Sequence, residues 1–372
     1  MSKRISAARL VFTILFVSIL MVGLAAMPSV AQTTGTVYVN TNQVSNEVWS
    51  YTRATDGTLT FAGAFPTQGS GTGSGPLLNS QGAIILSQDG KYLVVVNTGS
   101  NEITSFSVHA GGQLAFVSKV RSGGQFPNSL ANFGSLVYVL NSRGTPNVNA
   151  FRLKRGGVLK NMALSKRTLS GAHSTPTQVG FSNDGTVLVV AELINSKIDT
   201  FTLDAEGRGI GPLVQNSNGP GPFGFQFDNA GHLIVSEANN SGVSSYSVDS
   251  AGVLTVITGS LLDFGQAACW VQNTNSATFP NQYSYLTNTN SNTVSGYNTL
   301  SDGSMSLLNP DGITFAVTHP LDMAMSVDSQ YLYVLEGLAG ALVGLHIQPD
   351  GSLVQVTSVT GFPTSTQGMV GN

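Results

Sequence analysis

The chain repeats itself seven times, and that periodicity restricts the folds open to it more than any other feature. A turn glycine recurs at Gly57, Gly112, Gly157, Gly207, Gly252, Gly303 and Gly351, with gaps of 55, 45, 50, 45, 51 and 48 residues. Glycine suits such tight hairpins because the turn needs a positive φ, which a side chain penalises. Ahead of each glycine lies a β-rich run ending in a polar residue: Asn40, Asn97, Asn141, Glu192, Glu237, Asn288 and Glu336. Beyond the polar residue comes an aromatic or Leu: Tyr51, Phe106, Phe151, Phe201, Tyr246, Tyr297 and Leu345. Most copies are preceded by one more short run that ends in a turn, as in 83–86 before Asp89-Gly90 and 224–227 before Ala230-Gly231.

Four short strands in a repeat of about 49 residues predict a propeller blade. The expected fold is therefore all-β, a seven-bladed β-propeller with four antiparallel strands per blade. No segment sustains a capped 3.6-residue apolar period, so helices are not expected to contribute. Radial packing leaves only short sheet edges, where one open sheet of this size would leave long ones. The first copy opens directly on its second strand. The segment 363–370 has the form of the innermost strand of other copies, such as 222–227. The C-terminal strand is thus expected to complete the first blade and close the ring. Gly69–Gly75 alternates Gly with Ser and Thr, but a phosphate loop needs a buried strand before it and a helix after it. A flexible loop between the first two blades is expected there.

Residues 1–31 read as a signal peptide. Lys3, Arg4 and Arg9 form a positive start, Leu10 to Ala26 is an apolar run, and Ser29-Val30-Ala31 offers a cleavage site before Gln32. The alternative is an uncleaved membrane anchor, for which the run is slightly short. The mature domain is expected to span 32–372 and to be secreted or periplasmic, monomeric and free of the membrane after cleavage. Export permits disulfides, but Cys269 is the single cysteine, so no internal bridge exists. Its apolar surroundings, 267–271, suit a small buried hydrophobe.

Charged residues make up 9 % of the chain, against roughly 25 % in soluble proteins at large, and the formal charge is −3. Such a balance offers no electrostatic case for nucleic acid. His109, His232 and His346 are scattered, without metal-ligand spacing. No Cys pair and no Gly-x-Ser-x-Gly elbow is present. Neither a metal nor a cofactor is expected. The repeated polar position offers candidate ligand-binding residues: Glu192, Glu336, Asn97, Asn141 and Asn288, with Glu237 as a candidate catalytic carboxylate. Equivalent positions in a propeller face equivalent places around the channel mouth, so the three glutamates could form a cation or sugar site or supply a general base. The competing reading, which the four asparagines favour, is that each side chain caps the turn after its strand.

The repeats resemble the YVTN type, closest at Tyr285-Leu286-Thr287-Asn288, and across 36–372 the chain resembles the lactonase-type seven-bladed propellers. Those include bacterial 6-phosphogluconolactonase and the carboxymuconate-cyclising enzymes. The resemblance implies a channel-mouth site of His, Arg and Glu that binds an anionic lactone and moves a proton. Where the family pattern has His-x-His, this chain has Thr175 and Thr177, with His173 just upstream. A Gly-Pro-Arg-His pattern falls on Gly221-Pro222-Phe223-Gly224, and a His-Pro-Arg pattern on His319-Pro320-Leu321. The family's Glu matches Glu237. The carboxylate is kept while the arginines are lost, each charge-assisted hydrogen bond being worth roughly 1.5–3 kcal/mol. Two functions compete. One is a hydrolase or cyclising enzyme for a small lactone, using Glu237 with His173 or His319. The other is a binding or scaffold propeller that presents its channel mouth to a small-molecule lactone, a glycan or a protein partner. The loss of cations tilts the balance to the second.

Overall fold

A computed structural model describes residues 33–275 and 277–372. The segment 1–31, read above as a signal peptide, lies outside the described residues. The rest forms seven sheets of antiparallel strands, one per repeat, as the sequence period demands. The innermost strands of blades 1 to 7 are Met369–Gly371, Ile84–Leu86, Gln125–Phe133, Pro176–Phe181, Pro222–Phe227, Ala268–Asn273 and Pro320–Met325. Among the described residues the one helical element is a single 3₁₀ turn, Ala110–Gly112. No helix among them is long and apolar enough to cross a membrane.

The second strand of each blade is a continuous apolar run because neighbouring blades cover both of its faces. Val94, Val95 and Val96 are buried, as are Val189, Val190 and Ala191. The outermost strands face water and alternate instead; Leu353–Thr360 is an example. In blades 3 and 6 the outer strand is broken in two, Leu159–Asn161 with Arg167–Thr168 and Met305–Leu307 with Phe315–Ala316. In blade 3, Ser165 fills the gap: its hydroxyl accepts from Ala150 N–H (3.1 Å) and donates to Met162 C=O (2.7 Å). In blade 6 the interruption holds Pro310, which has no N–H to give to a ladder.

Ring closure occurs in blade 1. Val37, Tyr38 and Val39 pair with Gly371, Val370 and Met369. The pairing is extended by Asn40 N–H to Gly368 C=O (2.9 Å) and Asn372 N–H to Thr36 C=O (3.0 Å).

The repeated glycine does more than turn the chain. At six of the seven positions, Gly112 excepted, its carbonyl accepts a hydroxyl from the preceding blade: Tyr333 to Gly57 (2.9 Å), Ser105 to Gly157 (2.7 Å), Tyr138 to Gly207 (2.9 Å), Thr200 to Gly252 (2.8 Å), Ser245 to Gly303 (2.6 Å) and Tyr285 to Gly351 (2.8 Å). At Gly57, φ is +82° and a Cβ would lie 2.2 Å from the Tyr331 ring. Positive φ and close approach both require glycine there. Gly57→Ala is expected to cost about 2–4 kcal/mol from strain and overpacking together, measured by urea unfolding. A loss under about 0.5 kcal/mol, the range of neutral surface changes, would refute this account of the repeat.

Candidate functional site

The upper face is the end at which the second strands finish, so the repeated polar residues all lie there. Six of the seven are fully buried; Glu336 is partly exposed. Each is held by groups of its own neighbourhood. Asn97 accepts from Thr67 Oγ1 (2.6 Å) and Asn46 Nδ2 (3.0 Å) and donates to Thr104 Oγ1 (2.9 Å). Asn288 donates to Ser295 Oγ (2.7 Å), Asn141 to Asn147 Oδ1 (3.1 Å), and Asn40 to Gln367 C=O (2.9 Å). Glu192 accepts from Ser170 Oγ and from Asn195 Nδ2 (2.7 Å). Glu237 accepts from Ser244 Oγ and from Ser260 Oγ (2.6 Å). Glu336 accepts from Thr318 N–H (2.6 Å). The repeated position is therefore a knot that binds the second strand to the third strand, the outer strand or the incoming linker. No hydrogen bond among the described residues joins one of these knots to another.

In blade 4 the knot contains a second carboxylate. Asp199 accepts from Ser170 N–H (2.8 Å). Burial, with Glu192 beside it, pushes its carboxyl up to about 7.

The candidate catalytic residues occupy separate places. Glu237 ends the second strand of blade 5. His173 is exposed on the linker into blade 4. His319 stands on the linker into blade 7 at φ +47°, its backbone N–H bonded to Asn292 Oδ1 (2.8 Å). No hydrogen bond connects any two of them.

The channel itself is occupied by a segment that the sequence does not mark. Residues 78–82 cross the axis before the chain enters blade 2 at its three-residue innermost strand, Ile84–Leu86. Gln81 reaches blade 6, where its amide gives one hydrogen bond to Val271 C=O (2.8 Å) and takes one from Val271 N–H (3.0 Å). The Trp270 indole donates to Ser80 C=O (3.0 Å). Ser80 donates to Asn128 C=O (2.6 Å), and Leu78 N–H donates to Gln367 Oε1 (2.7 Å). The crossing thus engages blades 3 and 6 and the closing tail. Leu78, Ser80 and Gln81 are buried. Short polar residues ahead of Ala83 were the available sign, but they are indistinguishable from an ordinary linker in one sequence.

This plug separates two cavities. The upper one, about 520 Å³, is lined by Asn79 of the plug with Leu193, Phe223, Asn239, Gln266 and Cys269. Phe223 packs edge-on against Trp270, centroids 5.1 Å apart. Cys269 is the one ionisable residue of this lining, and burial pushes its thiol up to about 12, so it stays neutral and unreactive at ordinary pH. The lower cavity, about 370 Å³, is lined by Gln81, Gln178, Gln226, Gln272 and Asp322 among others. Its glutamines are committed to sewing inner strands together. Gln178 exchanges two hydrogen bonds with the Phe225 backbone (2.7 and 2.8 Å), and Gln272 donates to Met323 C=O (3.0 Å). The upper cavity offers amides and apolar surface, which suit a neutral ligand. It offers neither a fixed cation nor a titratable base.

Among known proteins, the family described as lactonase, seven-bladed β-propeller, matches residues 29–166. No curated protein matches this chain. Solved structures align along nearly its whole length. A protein assigned as a 6-phosphogluconolactonase from Bacteroides fragilis has a TM-score of 0.75 at 16 % identity, covering 93 % of this chain and 100 % of that one. A Lactobacillus plantarum protein reaches 0.74 at 17 %, covering 92 % and 100 %. The periplasmic gluconolactonase of Pseudomonas aeruginosa reaches 0.68 at 17 %, covering 90 % and 98 %. At such identities the likeness establishes the fold, and the site has to be argued from its own residues.

Proposed function

We propose that this chain, a member of the lactonase-type seven-bladed β-propeller family, works by binding rather than by turning over a lactone. The observation that carries this reading is the plug. Gln81 and Ser80 span the channel, and the upper cavity they leave holds no arginine, lysine, histidine or carboxylate among its lining residues. The positions that carry cations in the family pattern hold Phe223, Gly224 and Leu321. Glu237 is fully buried and already engaged by Ser244, Ser260 and Asn240, so using it as a base means breaking its knot. The charged n-region, apolar run and small-residue site of residues 1–31 support export, to the periplasm or beyond.

The test is hydrolysis of neutral and anionic lactones by the purified chain. No turnover above the uncatalysed rate is expected for either class. Turnover that Glu237→Gln reduces at least about a hundredfold, the scale of a lost general base, would overturn the binding reading in favour of a lactone hydrolase.

A further inference from the structure

The net charge of −3 conceals a partition. Between Glu102 and Asp184 the chain contains nine Lys and Arg and no acidic residue; the remainder holds the other seven cations and all 19 carboxylates. That stretch builds the outer half of blade 2, all of blade 3 and the entry to blade 4. The carboxylates that meet this stretch come from its neighbours, Glu102 beside Lys119 and Asp89 in the cavity that Lys154 and Arg155 line. On the upper rim, Arg121, Arg143 and Lys166 line one groove of about 430 Å³ with Asn101, Gln125 and Thr145, and no carboxylate lines it. Arg121, Arg143 and Lys166 are exposed. Among the described residues none of the three is ion-paired, whereas Lys119 of the same stretch is, with Glu102, as are Lys91 and Arg208 outside it. The Arg143 guanidinium lies 3.7 Å above the Phe126 ring, which fixes its plane while its N–H groups stay unpaired. Lys160, on the broken outer strand, and Lys154 with Arg155, at the hairpin below, are exposed and continue the charge toward the opposite face.

We propose that the rim and outer edge of blade 3 are a docking track for a linear acidic polysaccharide, anchored by its carboxylates or sulfates in the groove of Arg121, Arg143 and Lys166. The length of the track calls for a polymer, since a small anion would use only the groove. The planar amides and hydroxyl beside the cations match the paired hydroxyls of a sugar. A single-stranded nucleic acid would need open aromatic faces for its bases, and the Phe126 face is already covered by Arg143. This inference is independent of whether the channel is catalytic.

The experiment is titration of the purified chain with polygalacturonate, dextran sulfate, neutral dextran and single-stranded DNA. Binding to at least one acidic polysaccharide is expected, weakening steeply with salt as phosphate-type polyanion contacts do, and absent for neutral dextran. Lys160→Glu/Lys166→Glu breaks no internal side-chain hydrogen bond and should weaken binding by about tenfold or more, on the scale of two lost surface charge pairs. Lys197→Glu, which makes the same change of charge per site in blade 4, should leave it within about twofold, since no contact of the track is removed. Failure to bind both acidic polymers, an equal loss in the Lys197 variant, or tighter binding to DNA would each overturn the proposal.

Discussion

Removal of residues 364–372 is expected to abolish cooperative folding rather than lower its midpoint. The tail supplies the whole innermost strand of blade 1, with three register pairs to Val37, Tyr38 and Val39. It also supplies Gln367, which bonds Asn40 through its backbone (3.1 Å) and Leu78 of the channel plug through its side chain (2.7 Å). At about 1 kcal/mol per hydrogen bond, together with burial of Met369 and Val370 at roughly 2 kcal/mol each, the loss is on the order of 8–10 kcal/mol. That is comparable to the entire stability of an ordinary domain, about 5–15 kcal/mol. The ring would also gain an unpaired edge inside its channel. Thermal melts by circular dichroism and dye binding to exposed apolar surface would report the change. A truncated chain melting within a few degrees of its parent would show that closure rests elsewhere, for instance on the Tyr333–Gly57 bond.

The second large effect concerns pH. Asp199 is fully buried, and its carboxyl is raised to about 7 by desolvation and by Glu192. In the unfolded chain it titrates near ~3.9. The folded state therefore holds this proton more tightly than the unfolded state does. The resulting stability is complete below pH ~4 and is lost as the pH climbs through about 7. Asp199→Asn removes the titration while its amide oxygen can keep the Ser170 N–H bond (2.8 Å). Its new N–H₂ replaces Asp199 Oδ1, which has no partner, within the network that holds the likewise unpartnered Glu192 Oε1. The variant is expected to be more stable than the parent at pH 8 by an amount on the order of 2–4 kcal/mol, the gap narrowing toward pH 5. Urea unfolding at the two pH values measures it. A variant that is weaker than the parent at pH 8 would show that the ionised carboxylate is itself the favoured form.

The architecture was readable from sequence because it rests on local rules repeated seven times. A turn glycine, an apolar run and a polar terminus each have one physical cause, and repetition separates them from chance. Closure by the tail was readable for the same reason, since a missing first strand and a surplus last one are both departures from the period. The polar terminus was read only in kind. That Asn97 and Glu237 sit at strand ends follows from the repeat, but their knots depend on partners such as Thr67 and Ser260 from other segments. The plug was illegible because it is a departure with no counterpart: nothing in Asn79-Ser80-Gln81 distinguishes a crossing from a linker. The cationic stretch is hidden in a whole-chain charge balance, which averages it away, and is legible in a charge count per blade.

The bond between Gln81 and Val271 makes the crossing segment a spoke. A wheel without spokes deforms by letting its rim go oval, and a propeller can widen its channel in the same way by small rotations of every blade. Here opposite sides of the rim are tied through its centre by a two-bonded amide and an indole. Ovalisation along that diameter stretches those bonds directly, and the same segment also holds blade 4 through Gln81 N–H to Thr177 C=O (3.1 Å) and the closing tail through Leu78 N–H to Gln367 Oε1 (2.7 Å). The disc is therefore braced from its hub as well as around its circumference, with Gln81 alone bonded to blades 3, 4 and 6.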